Sequence, residues 1–321
     1  MQNLEQLQLL IEQELREINY PNSPKQLYQP IEYVLGLGGK RMRPILVLMA
    51  HQLFNDDLTK AISPALAIEV FHNFTLLHDD IMDKAPLRRG KQPVHEKWNN
   101  NVAILSGDTM LVQAYQLMCN VDKDVLKEIL DAFNKAAIQV CEGQQWDMDF
   151  ETQSDVSISD YLKMIEYKTA VLLAAALQIG GITGGASLKE QNHLYEFGQN
   201  LGIAFQLKDD LLDVFGNPDA FGKQVGGDIR ANKKTFLYLK ALALANKNQH
   251  ADLIDYFSAT EVVEDKVEAV KSIFSALNIH NITSELMKAY HAKAMRHLDA
   301  IDSQNKEPFL DFSAMLLDRV S

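Results

Sequence analysis

Residues 65–83 read ALAIEVFHNFTLLHDDIMD. Apolar side chains dominate the stretch and no proline interrupts it, a run too long for an ordinary strand and ordinary for a helix. Outward from it the pattern continues. Leu4, Leu7, Ile11, Leu15 and Ile18 fall at helical spacing, and residues 103–120, 125–143, 159–179 and 188–216 form further long runs without interior proline. Ser23 before Pro24 predicts a helix start with a capping hydroxyl and proline at the first position. No segment alternates β-branched and aromatic residues between turn signals, so the predicted fold class is all-α.

Breaks are few: residues 36–39, 85–90, 180–185 and 216–227 are the predicted loops. With no Ser/Pro-rich linker, repeat or low-complexity tract, the expectation is one domain over residues 1–321, a single helical bundle. The charge-rich segments 261–277 and 283–302 read as amphipathic helices with a solvated face, forming a peripheral layer.

Hydrophobic residues make up 47% of the 321, enough for a large core and too much for a disordered chain. Against 31 Lys plus Arg stand 43 Asp plus Glu, so nucleic acid and anionic membrane surfaces are unfavourable partners. Two cysteines, Cys119 and Cys141, exclude a disulfide scaffold and a Cys-rich zinc module. The first residues carry acidic groups and no basic segment, which predicts no signal peptide and a cytoplasmic protein. The most apolar stretch, 170–179, is too short to span a membrane and runs into Gly180 and Gly181.

The chemistry lies in two aspartate clusters. HDDIMD places Asp79, Asp80 and Asp83 at the C-terminal end of one apolar helix, and KDDLLD places Asp209, Asp210 and Asp213 at the end of another. At this spacing the first and third carboxylates lie about 40° apart on one face, one turn from each other. A single DDxxD is readily a solvated helix end; two in a chain of 25 aspartates are rare by chance. Carboxylates at a helix C-terminus face an unfavourable dipole, and six together would repel, so cations must intervene. An oxygen-only set suits Mg²⁺, which keeps several waters and shares carboxylates with substrate phosphates.

Basic residues supply the complement. Lys40, Arg41 and Arg43 follow Gly38 and Gly39; Arg88 and Arg89 follow the first cluster; Lys223, Lys233 and Lys234 follow the second. Arg forks and Lys point charges suit a diphosphate. A P-loop is excluded, because Arg41 stands where Ser or Thr is required.

The segments GGKRMRP, HNFTLLHDDIMDKAPLRRG, LSGDTML, EGQQWDMDFE, EYKTA, FQLKDDLLDVFG and GKQVGGDIRANKKT, in this order, resemble the trans-isoprenyl diphosphate synthases, the polyprenyl synthetase family. The resemblance spans about residues 33–235. It implies an all-helical fold around a deep central cavity, a homodimer, and condensation of an allylic diphosphate with isopentenyl diphosphate. It further implies that Asp79, Asp80, Asp83, Asp209, Asp210 and Asp213 hold three Mg²⁺. Lys40, Arg43, His72 and Arg89 match the isopentenyl diphosphate anchors. Arg88, Lys168, Thr169, Gln206, Lys223 and Lys233 match those for the allylic substrate, with Lys168 also counted as catalytic. Two departures from the pattern are visible: Asn99 or Asn100, and Asn232, stand where many relatives have glycine. Taken alone, His72 reads as a core histidine; within HNFTLLHDD the anchor role prevails.

Phe74 lies five residues before Asp79, and DDIMD lacks the two-residue expansion of typical bacterial farnesyl diphosphate synthases. That combination resembles archaeal-type geranylgeranyl diphosphate synthases and points to a C20 product, with C15 as the alternative. Phe74, Thr75 and Phe71 are the candidates for the floor that stops chain growth. Ideal helix geometry puts position 75 nearest the Asp79 face, so the preference for Phe74 rests on the resemblance. The remote alternatives are a catalytically silent partner subunit, which should have lost aspartates or arginines, a terpene cyclase, which would lack the second cluster and the GGKR segment, and a di-iron bundle. The last draws on Glu69-x-x-His72 and Glu190-x-x-His193, and leaves both aspartate clusters unexplained.

Overall fold

The structure, a computed structural model, describes residues 2–216, 225–259, 265–303 and 305–317. Among these the regular elements are helices and no strand occurs. Asn3 and Gln6 form a capping box that starts α1 (Leu4–Glu17), whose apolar stripe Leu7, Ile11 and Leu15 is buried. Next come α2 (Lys25–Gly36), α3 (Met42–Gln52), α4 (Thr59–Met82), α5 (Val94–Lys97), α6 (Asn100–Met118) and α7 (Lys123–Thr152). Helix α8 (Ile158–Ile165) passes through a π-helical turn, Glu166–Ala170, into α9 (Val171–Gly184), and α10 (Leu188–Phe215) follows. The remainder comprises α11 (Gly227–Arg230), α12 (Phe236–Leu244), α13 (Lys247–Ser258), α14 (Lys266–Ala276), α15 (Ile279–Asp299) and α16 (Glu307–Leu317).

The chain forms two compact units. The first comprises Met1–Asn134, Ala175–Leu194 and Asp302–Pro308. In it α4 packs against α1, α2, α3, α5 and α6. Every residue of α3 from Pro44 to Gln52 is buried, so this helix is apolar all round rather than amphipathic. The second unit comprises Lys135–Ala174, Tyr195–Ile301 and Phe309–Ser321. There α12 packs against α8, α13, α14 and α15 over a core that includes Tyr161, Leu207, Leu237 and Phe274.

Three local expectations are corrected. Ser23 does not cap α2; Pro24 takes the cap position and no side chain bonds to the helix start. Helix α4 begins at Thr59, ahead of the sequence estimate, and accommodates Pro64 in its second turn, where the ring leaves the Lys60 carbonyl without its i→i−4 donor. The predicted loop at 180–185 is helical to Gly184. A Cβ on Gly180 would lie 2.1 Å from the Val47 carbonyl oxygen, so this glycine serves close helix packing and not a turn. The apolar run therefore extends beyond 179: Ile158–Gly184 is long and apolar enough to cross a membrane by length and composition, yet 72% of its apolar window is buried inside the protein.

Candidate active site

In the first unit the aspartate cluster closes α4. Asp79 and Asp80 lie in the last turn and Asp83 is the C-cap. The middle carboxylate is buried, and Arg88 donates to its Oδ1 from both Nε, at 2.8 Å, and Nη2, at 2.5 Å. Asp79 is half-buried and Asp83 exposed. Arg88 reaches Asp80 from a tight turn in which Arg88 and Lys91 exchange backbone hydrogen bonds of 2.8 and 3.0 Å. Arg89 and Gly90, its central residues, both have positive φ, 52° and 73°, as a type I′ turn demands. The same turn sends Arg89 to donate to the Gly38 carbonyl.

The GGKRMRP loop leads into α3. Arg43 Nη1 lies 3.0 Å from Nε2 of His72, which requires that nitrogen to accept and puts the ring proton on Nδ1. Burial, then the charges of Arg43 and Arg89, hold the His72 pKa well below its ordinary value. Arg43 itself is lowered to about 10, chiefly by burial. The Thr75 hydroxyl donates to the His72 carbonyl at 2.8 Å, spending itself within its own helix. Phe74 packs its ring 4.8 Å from His78 and 5.6 Å from Phe71, and Phe71 sets its edge against Phe133 at 5.2 Å.

The second unit carries the other cluster near the end of α10. Asp210, also buried, accepts from the Tyr161 hydroxyl at 2.5 Å and from Gln206 Nε2 at 3.2 Å. Gln206 in turn accepts from Thr169 at 3.2 Å, and Lys168 donates to Asp147 at 2.6 Å. Lys168 and Thr169 sit in the π-helical turn, a distortion common at functional sites. Asp213 accepts from the backbone N–H of Gly227 and Asp228 at 3.1 and 3.0 Å, pinning the start of α11. Asp210, Tyr161, Gln206, Thr169, Lys168 and Asp147 border a cavity of about 200 Å³ that Lys233 and Asp228 also line. Lys234, at the same cavity, donates to the carbonyls of Phe150 and Glu151 near the end of α7. Lys223 lies outside the described residues.

The Asp210 carboxyl is pushed up to about 8 by burial and then by the negative charge of Asp228, with Asp209 adding to it. That excess of acid is the environment a hard cation would relieve, and the donors are all oxygen, so Mg²⁺ fits the chemistry of the residues present. Among the described residues no three acidic or histidine side chains converge as a preformed metal cluster. The di-iron alternative loses its donors: Glu69 is paired with Arg41 at 2.5 Å, and Glu190 accepts from the Ser187 N–H and hydroxyl at 2.8 and 2.7 Å.

Sequence reasoning did not single out Tyr161, Asp147, Asp228 or Glu69 for this site. Tyr161 precedes Lys168 by two turns of an amphipathic segment, and Asp147 lies within EGQQWDMDFE, so both carried a signal. Neither asparagine departure disturbs the backbone. Asn99 caps α6 by accepting from Val102 N at 3.0 Å. Asn232 adopts φ 57°, which asparagine tolerates, and donates to the Ala259 carbonyl at 3.0 Å while accepting from Lys266.

Comparison with known proteins places the chain in a family. The chain is 35% identical over 299 residues to the geranylgeranyl diphosphate synthase of Methanosarcina mazei, covering 92% of this chain and 90% of that protein. It is 40% identical over 236 residues to the geranylfarnesyl diphosphate synthase of Natronomonas pharaonis, covering 68% and 69%. A crystal structure of a geranylgeranyl pyrophosphate synthase superposes with a TM-score of 0.95 at 45% identity, over 100% of both chains. The sequence pattern of the polyprenyl synthetase family matches residues 24–277. The chain therefore belongs to the polyprenyl synthetase family and is a prenyltransferase of all-helical fold.

Proposed function

We propose that this prenyltransferase joins isopentenyl diphosphate head to tail to dimethylallyl, geranyl or farnesyl diphosphate, giving geranylgeranyl diphosphate, C20; farnesyl diphosphate, C15, is the alternative. One repeated arrangement carries the reading. Each aspartate triplet ends a buried helix, its middle carboxylate engaged by a protein donor and cations close by in sequence. The names of the relatives support C20, and the geranylfarnesyl relative shows that longer products occur among similar proteins.

Asp79, Asp80, Asp83, Asp209, Asp210 and Asp213 would hold Mg²⁺, three ions per site. Bound there, Mg²⁺ supplies Lewis-acid stabilisation of charge on the leaving diphosphate. The chain's cations do the rest of the electrostatic work. Arg88, Lys168, Thr169, Gln206, Lys223 and Lys233 bind the allylic diphosphate, and Lys40, Arg43, His72 and Arg89 orient isopentenyl diphosphate. The allylic C–O bond breaks with its electron pair leaving on diphosphate, the isopentenyl double bond attacks the cation, and a proton is then lost to the departed diphosphate. Apolar side chains keep water from the cation. Phe74, with Thr75 and Phe71, forms the floor that limits elongation.

The whole chain, 1–321, acts as one catalytic domain, placed in the cytoplasm and assembled as a homodimer. Helix α6 supports the dimer: Leu105 and Val112, two turns apart, are 60% and 59% exposed, an apolar face that a second copy would cover. Sedimentation of Leu105→Glu should give monomer where the native chain gives dimer; unchanged sedimentation would refute that face. The reaction itself is tested by diphosphate release, which should need both substrates and Mg²⁺ and stop in EDTA. Full turnover in EDTA would overturn it.

A further inference from the structure

Arg41 lies in sequence between two of the proposed isopentenyl anchors, Lys40 and Arg43, yet its guanidinium is engaged by the protein. Its side chain is 3% exposed and that of its partner Glu69 2%, so both members of the pair are buried. Nη1 donates to Glu69 Oε1 at 2.5 Å on α4, and Nη2 donates to the Leu35 carbonyl at 2.5 Å near the end of α2. One turn along α4, Asn73 donates to the Glu69 carbonyl at 2.8 Å and to its Oε1 at 2.9 Å. Asn73 and the guanidinium thus share Oε1 of the carboxylate and fix its orientation.

The loop needs such a brace. Gly38, Gly39 and Arg41 have φ of 75°, 133° and 48°, the last an unfavoured left-handed conformation for arginine at the start of α3. Helix α4 grips the loop twice, through Glu69 to Arg41 and, three residues on, through His72 to Arg43. Glu69 is also the strongest negative charge acting on both Arg43 and Arg89, and so tempers repulsion among these cations. Buried ion pairs are commonly no more stabilising than apolar side chains of the same volume, so stability alone does not account for placing one here.

We infer that Arg41 and Glu69 are positioning residues for the isopentenyl diphosphate site, fixing the loop backbone so that Lys40 and Arg43 meet the anion at set positions; this rests on the function proposed above. A purely electrostatic role predicts the opposite sign. Removing the Glu69 charge would make the site more cationic and tighten an anion, whereas loss of position weakens it.

Arg41→Lys separates the two, because it keeps the charge and loses the fork that spans Glu69 and the Leu35 carbonyl. Calorimetric titration of the full chain with isopentenyl diphosphate is expected to show binding weakened about tenfold or more. Steady-state kinetics should show KM for isopentenyl diphosphate raised by a similar factor, with kcat and the allylic KM little changed. Glu69→Gln should weaken binding in the same direction. If Arg41→Lys proves unstable, the double variant Arg41→Met with Glu69→Leu, an apolar replacement of the pair, decides: it should fold, by circular dichroism and melting, and still bind weakly. Native affinity in either variant, tighter binding by Glu69→Gln, or an equal loss for both substrates overturns the inference. Failure of the native chain to bind isopentenyl diphosphate would instead overturn the proposed function.

Discussion

Arg88 and Asp80 hold each other through a single oxygen: Nε and Nη2 both donate to Oδ1, at 2.8 and 2.5 Å. In the second unit Asp210 is taken up through both oxygens, Oδ2 by the Tyr161 hydroxyl and Oδ1 by Gln206 Nε2. The middle aspartate of each triplet is buried and committed to the protein, and its flanking partners are less buried. Asp79→Ala or Asp209→Ala is accordingly expected to lower turnover by about two to three orders of magnitude at saturating Mg²⁺. Steady-state rates check this, and near-native turnover in either variant would remove the aspartates from the mechanism.

Separate anion sites predict separable kinetics. Lys40→Ala and Arg89→Ala should mainly raise KM for isopentenyl diphosphate, whereas Lys168→Ala and Lys223→Ala should mainly raise that for the allylic substrate. Lys168→Ala also strips Asp147 of its partner and leaves a carboxylate to repel the incoming anion. Equal rises in both constants for every variant would contradict the assignment.

Much of this arrangement was legible in the sequence, because it depends on spacing. The helix period and the two DDxxD clusters located α4 and α10, with Asp83 and Asp213 at or near their ends. What was not legible depends on neighbours distant in the chain. Gly180 and Gly181 read as a turn because spacing cannot report that the Val47 carbonyl lies against Gly180. Glu69 entered only the remote di-iron alternative, and its pairing with Arg41, 28 residues away, left no local signal. Tyr161 meets Asp210 across 49 residues, which no local pattern encodes.

Phe74→Ala should lengthen the product by one or more isoprene units, and Phe71→Ala should add to the effect. The two differ in structural cost. Phe71 is 1% exposed and edges onto Phe133, so its truncation removes about 3–5 kcal/mol of stability and the assay belongs well below the melting temperature. Mass analysis of the products reads the outcome; native chain lengths from both variants would place the floor elsewhere.

His72 makes the ligand-free protein acid-sensitive. Its folded pKa lies well below 6.5, chiefly through burial and then the charge of Arg43. Below about pH 6.5 the unfolded chain takes up a proton that the folded chain refuses, so stability falls as pH drops through that window. Melting temperatures between roughly pH 7.5 and 5.5 should decline less steeply in His72→Gln than in the native chain. Parallel declines would mean that His72 carries no such linkage.

The most direct measurement is the mass of the prenyl chain made from isopentenyl diphosphate and each allylic primer in the presence of Mg²⁺. Dimethylallyl, geranyl and farnesyl diphosphate should each be extended, with products converging on C20. Accumulation of C15 with farnesyl diphosphate left unextended would contradict the chain-length assignment, and no condensation with any primer would contradict the reaction itself.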